Sequence, residues 1–134
     1  MLSEGDIQRI VSRIVDGCGP IAVGTFGSYA VGLAREGSDL DVFVIQRTRL
    51  SKPARRRAVY ACLFGVMHPL DVHVFTPEEF EEGAGEQLSF AWVIVRQARL
   101  YYWTGEPGRG AVAQMHARCN QAGPQGGKGS KPDP

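Results

Sequence analysis

The segment Asp39-Leu40-Asp41-Val42-Phe43-Val44-Ile45 constrains this chain more than any other. Val42 to Ile45 are apolar without interruption, so a strand made of them has no side left for water and must be covered on both faces. Two carboxylates stand at its entrance. Successive strand side chains alternate faces, so Asp39 and Asp41 share one, about 6.5 to 7 Å apart, while Leu40 turns into the core. An unpaired buried carboxylate costs several kcal/mol, comparable to the stability of a small domain. Unless the pair is a capping Asp plus an exposed strand-end acid, something must compensate it.

The rest of the chain supplies the cover. Ile7, Ile10, Val11, Ile14 and Val15 form one apolar stripe, predicting a helix over 3–16 capped by Ser3 and Asp6 and ended by Gly17, Gly19 and Pro20. IAVGTF at 21–26 reads as a strand, Gly27 breaks it, and SYAVGLA reads as one or two helical turns. DLDVFVIQ at 39–46 is the clearest strand. Pro53 opens a helix running to about Met67, with Val59, Leu63 and Val66 inward. LDVHVFT at 70–76 is a third strand, and Pro77 opens a short acidic helix. A helix over 89–98 and a last strand, RLYYW at 99–103, complete the pattern. The expected fold class is α/β (α+β), a small mixed sheet of three to four strands flanked by helices.

With 134 residues, a single domain with its own core is expected, over 1–119. Residues 120–134, NQAGPQGGKGSKPDP, are rich in Gly, Pro and Lys and read as a disordered tail. A net charge of +1 sets up no global field toward nucleic acid or acidic membranes. Charge is nonetheless clustered: residues 47–57 carry six basic groups and no acid, residues 78–86 five acids and no base. With no aromatic interleaved for base stacking, the basic run reads as a solvated loop and helix start rather than a nucleic-acid contact. Cys18, Cys62 and Cys119 are odd in number, far apart in sequence and form no C-x-x-C pair, which points to reduced thiols. MLSEGD lacks the basic flank and apolar core of a signal peptide, and FAWVIV is too short to span a bilayer. A soluble cytoplasmic protein is expected.

Chemistry enters with a third acid. Asp71 starts the third strand and shares its face with His73 and Phe75. If that strand neighbours the one before it, Asp71 sits beside Asp41. Carboxylates so placed repel unless protonated or bridged, and Mg²⁺ is the natural bridge. Such a set can hold two metals about 3.5 to 4 Å apart. Gly27 permits a sharp turn, and Ser28 at a helix start suits either an ordinary cap or a phosphate. His73 reads as a partly buried strand residue, with substrate contact as the alternative.

The pattern G-S-x10-D-x-D, matched by Gly27, Ser28, Asp39 and Asp41, resembles the polymerase-β-type nucleotidyltransferase superfamily. The short length places the chain nearest its minimal members, the MNT proteins, over about residues 20–104. Gly32, Ser38 and Asp71 fit the wider pattern. Tyr29 stands where many minimal members carry a basic residue, and Arg35 is a candidate to replace that charge. The resemblance implies the polymerase-β-like fold, two Mg²⁺ ions held by Asp39, Asp41 and Asp71, and ATP as nucleotide donor with its phosphates on Gly27 and Ser28. It implies adenylyl transfer to a hydroxyl, with Asp71 taking the proton. It further implies that the chain is the antitoxin of an MNT/HEPN pair, acting on a HEPN-domain partner in a hetero-oligomer, with a homodimer also open. Two other readings are a non-catalytic antitoxin that occludes its partner, and transfer to a small molecule such as an aminoglycoside.

Overall fold

A computed structural model describes residues 1–122. Four strands, β1 (Ala22–Phe26), β2 (Leu40–Ile45), β3 (Leu70–Phe75) and β4 (Arg99–Trp103), form one sheet in the order β3-β2-β1-β4. β1 pairs antiparallel with β2 and β4, whereas β2 and β3 run parallel. A parallel pair needs a crossover connection, and here the helix α2 (Lys52–Cys62) provides it.

The helices divide between the two faces as the apolar run of β2 demands. One core joins Leu40, Val42 and Val44 to Ile7, Ile10, Val11 and Ile14 of α1 (Glu4–Cys18) and to Val59 and Leu63 at α2. The other joins Phe43 and Ile45 to Phe80 of α3 (Pro77–Ala84), Ile94 of α4 (Phe90–Gln97) and Met115 of α5 (Ala111–Ala122). Leu40 and Val42 to Ile45 are fully buried. α1, α3 and α4 begin at Ser3, Thr76 and Ser89, whose hydroxyls each accept from a backbone N–H three residues on.

Four expectations change. SYAVGLA contributes only a single 3₁₀ turn, Gly27–Tyr29. α2 stops at Cys62 rather than near Met67, because Gly65 takes a left-handed φ of +92° that a continuing helix cannot use. Val66 still packs on the core, from a turn rather than a helix. α5 is additional to the elements predicted from the sequence, and its buried stripe of Ala111, Val112 and Met115 covers the second face. This helix continues to Ala122, three residues into the stretch read as a tail. The remainder, 123–134, lies outside the described residues.

Candidate functional site

Asp41 and Asp71 are register partners across the parallel β2–β3 pair, so their side chains leave the sheet next to each other on the same face. Both sit one residue into their strands, where that face emerges from the core. His73, the next residue on the same face of β3, places its Nε2 3.1 Å from Asp71 Oδ2. One donor atom from each of Asp41, Asp71 and His73 lies within 4.8 Å of the others. Ligands on opposite sides of one Mg²⁺ are about 4 Å apart, so this spacing is close to that of a coordination shell. Asp39 stands just outside β2 and is exposed; it is not part of this cluster.

The electrostatics favour a cation. Partial burial first, and then the Asp71 and Asp39 charges, push the Asp41 carboxyl above its ordinary value; His73 works the other way. Hard carboxylate oxygens supplemented by an imidazole fit a small divalent ion.

Gly27 explains how the turn meets this cluster. Its φ is +74°, and a Cβ built there would lie 2.3 Å from Asp41 Oδ2. Only glycine lets the backbone pass so close to the carboxylate. The Gly27 carbonyl accepts from the amides of Ala30 and Val31, and that of Ser28 from Leu33, which closes the turn. A three-residue turn has less dipole than the helix start expected from the sequence. Tyr29 has a structural use: its hydroxyl accepts from the Leu2 amide at 3.1 Å, and its ring meets His68 edge-on. Arg35 is exposed in the loop that leads to Asp39.

The sequence does not identify Arg56, and it reads His73 as a partly buried strand residue with substrate contact as the alternative. Arg56 donates to Asp71 Oδ1 at 3.4 Å and to the Val72 carbonyl at 2.8 Å. The basic run is therefore not simply solvated; nothing in its composition says which arginine turns inward, since the packing of α2 on β3 decides it. His73 carried a usable signal, the same strand face as Asp71, but its proximity depends on the imidazole being wedged by Phe26 and Phe90, with ring centroids 5.3 and 4.6 Å away. Beside this cluster opens a cleft of about 490 Å³, lined by His73, Arg56, Lys52, Glu82, Glu86 and Phe90.

The sequence profile of the nucleotidyltransferase domain matches residues 6–103, more than half of the chain and every strand of the sheet. The chain belongs to the nucleotidyltransferase family. Solved structures share its fold at low identity. A toxin-antitoxin crystallised with AMP-PNP superposes at a TM-score of 0.56, with 15% identity over 86% of this chain and 88% of that one. A Sulfolobus solfataricus protein assigned to the nucleotidyltransferases gives 0.53, with 16% identity over 75% and 79%. A mutant of the toxin-antitoxin MntA-HpeT gives 0.52, with 15% identity over 90% and 89%. No curated protein sequence matches the chain. No helix of this nucleotidyltransferase, among the described residues, is long and apolar enough to cross a membrane.

Proposed function

We propose that this nucleotidyltransferase moves AMP from ATP onto a hydroxyl of a partner protein, using Mg²⁺, as the antitoxin of a toxin-antitoxin pair in the cytoplasm. One observation carries the reading: Asp41 and Asp71 emerge side by side next to a glycine turn that only a missing Cβ allows. Two neighbouring folds, from a toxin-antitoxin crystallised with AMP-PNP and from a mutant of MntA-HpeT, support the donor class and the setting. The partner we propose is a HEPN-domain toxin.

In this reading Asp41 and Asp71, with Asp39 at the strand entrance, hold two Mg²⁺ ions, and Gly27 and Ser28 hold the outer phosphates. The ions, when bound, neutralise the triphosphate and lower the pKa of the attacking hydroxyl. The acceptor oxygen attacks the α-phosphorus in line, the bond to pyrophosphate breaks, and the hydroxyl proton passes to Asp71. His73, hydrogen-bonded to Asp71, orients that carboxylate. The cleft between α2, α3 and Phe90 receives the acceptor segment.

The test is transfer of label from α-labelled ATP to a co-purified HEPN-domain protein in the presence of Mg²⁺. Label on the partner that disappears with EDTA and in Asp41→Asn is expected. Neutralisation of the partner that persists in Asp41→Asn without label transfer would replace catalysis by occlusion. Transfer to an aminoglycoside with no protein acceptor would replace the protein target by a small molecule.

A further inference from the structure

On the other face of the sheet, the C-terminal ends of α1 and α2 bring together two cysteines that the sequence keeps 44 positions apart. Cys18 Sγ and Cys62 Sγ are 3.2 Å from each other, inside ordinary sulfur contact, and both residues are partly exposed. Three features hold them there. Gly17 makes the room: a Cβ at that position would lie 2.5 Å from Cys62 Sγ. Gln46 Nε2 donates to the Cys18 carbonyl at 2.9 Å and fixes the end of α1. Cys62 Sγ lies 3.5 Å from the Ala58 carbonyl, one turn back on α2.

We propose that Cys18 and Cys62 are a modification site, forming a reversible disulfide that ties α1 to α2 when the protein meets a hydroperoxide. The geometry requires little change. A disulfide has sulfurs about 2.0 Å apart, so each sulfur moves by roughly half an ångström. Each cysteine is the last residue of its helix, followed by Gly19 in a left-handed conformation or by Leu63 outside helical geometry. Both chain ends yield without breaking a helix interior.

The order of events follows from the two thiols. Burial, and then the neighbouring thiol, push the Cys18 thiol up to about 12, which makes it the slower nucleophile at neutral pH. The Cys62 thiolate attacks the terminal peroxide oxygen, and the O–O bond breaks to give a sulfenic acid on Cys62. The other oxygen leaves as hydroxide from hydrogen peroxide or as alkoxide from an alkyl hydroperoxide, taking up the proton that Cys62 released. Cys18 sulfur then attacks the Cys62 sulfur and displaces the hydroxyl, which leaves as water with the Cys18 proton. In total two thiols lose two electrons and two protons, and one hydroperoxide is reduced. The bond closes a loop that contains β1, β2 and α2, and with them Gly27, Asp39 and Asp41. Cys119 serves as an internal control: its Sγ lies 3.4 Å from the Ala98 carbonyl and packs with the opposite core.

The inference is independent of the transfer reaction. The full chain is treated with hydrogen peroxide, alkylated without reductant and analysed by intact mass and peptide mapping. A species two hydrogens lighter, with Cys18 and Cys62 peptides joined, Cys119 alkylated and full reversal by dithiothreitol, is expected. The Tm of that species should exceed the reduced one by at least about 5 °C, because the closed loop restricts the unfolded chain. Cys119→Ser should retain the crosslink, and Gly17→Ala should slow it by roughly tenfold by pushing the Cys62 thiol away. Three alkylatable thiols after treatment, over-oxidation without a crosslink, or a bridge through Cys119 would each overturn the proposal. The mapping on the wild-type chain decides the matter even if a variant fails to fold.

Discussion

Arg55 and Arg56 are adjacent, carry the same charge and lie in the same helix, yet the fold uses them in opposite ways. Arg55 is buried, gives Nη1 to Glu79 Oε1 at 2.6 Å and gives Nε and Nη2 to the Leu50 carbonyl. It ties α2 and the loop before it to α3. Arg56 is half-exposed and meets Asp71, also half-exposed, at a longer 3.4 Å. The first pair is committed: removing one partner strands a charge in a poorly solvated place. The second is loose enough for a cation to displace, and it keeps the Asp71 charge accompanied until then. Their carboxylate ends differ likewise. Burial pushes Glu79 up, but the Thr76 amide and Arg55 outweigh it and hold Glu79 below its ordinary value. Asp41 at the site stands above its ordinary value. One carboxylate is optimised for the folded chain alone, the other for something the chain must bind.

The largest effect expected from that contrast is at the site. Asp41→Asn should lower label transfer by at least about 100-fold while raising the Tm of the metal-free protein at neutral pH, since it removes a repelled carboxylate. The sign follows from linkage: a raised folded pKa means that stability falls as pH climbs from 3.8 through the folded value. Parallel loss of transfer and Tm would make Asp41 a structural acid. Next comes Gly27→Ala, which forces a methyl into the Asp41 carboxylate at an unfavourable φ. A loss of transfer of at least roughly tenfold is expected, with weaker Mg²⁺ binding by calorimetry.

Arg55→Met tests the committed pair. It should destabilise by about 2–3 kcal/mol in urea unfolding, less than a fully buried pair because Glu79 is one-third exposed, with Mg²⁺ affinity unchanged. The same pair should show in acid. A depressed folded pKa gives stability that is present above the unfolded value of 4.5 and lost as pH falls through the folded one. Wild type should therefore lose Tm more steeply below about pH 4.5 than Glu79→Gln does. The smallest effect on stability is expected from Arg56→Met, within about 1 kcal/mol, accompanied by tighter Mg²⁺ binding as Asp71 is released. If Arg55→Met and Arg56→Met proved equal in urea, the distinction between the two arginines would be lost.

The sequence was most legible where one physical rule acted locally. Alternation put Leu40 in the core and Asp41 on the opposite face, the Ser3 cap marked the start of α1, and Pro77 marked that of α3. It was least legible where the outcome depended on what a neighbour did. The spacing of Leu63 and Val66 suits a helix, but Gly65 ends it and a turn packs the partly buried Val66 on the core instead. The stripe at 111, 112 and 115 was present but short, and only the open face of the sheet gives α5 a reason to form. Asp39 shows the same limit from the other direction, since strand spacing joined it to Asp41, whereas its backbone lies outside the ladder.

The sequence by itself determined the two-faced burial of β2, the acids at the strand entrances and the glycine turn, because alternation and backbone freedom are properties of consecutive residues. Only the tertiary structure decided that β2 and β3 lie in a register that sets Asp41 against Asp71, that His73 is wedged toward them, that Arg56 rather than Arg55 reaches them, and that Cys18 meets Cys62. Those are pairings between distant segments, fixed by how whole elements pack, and no local rule carries that information.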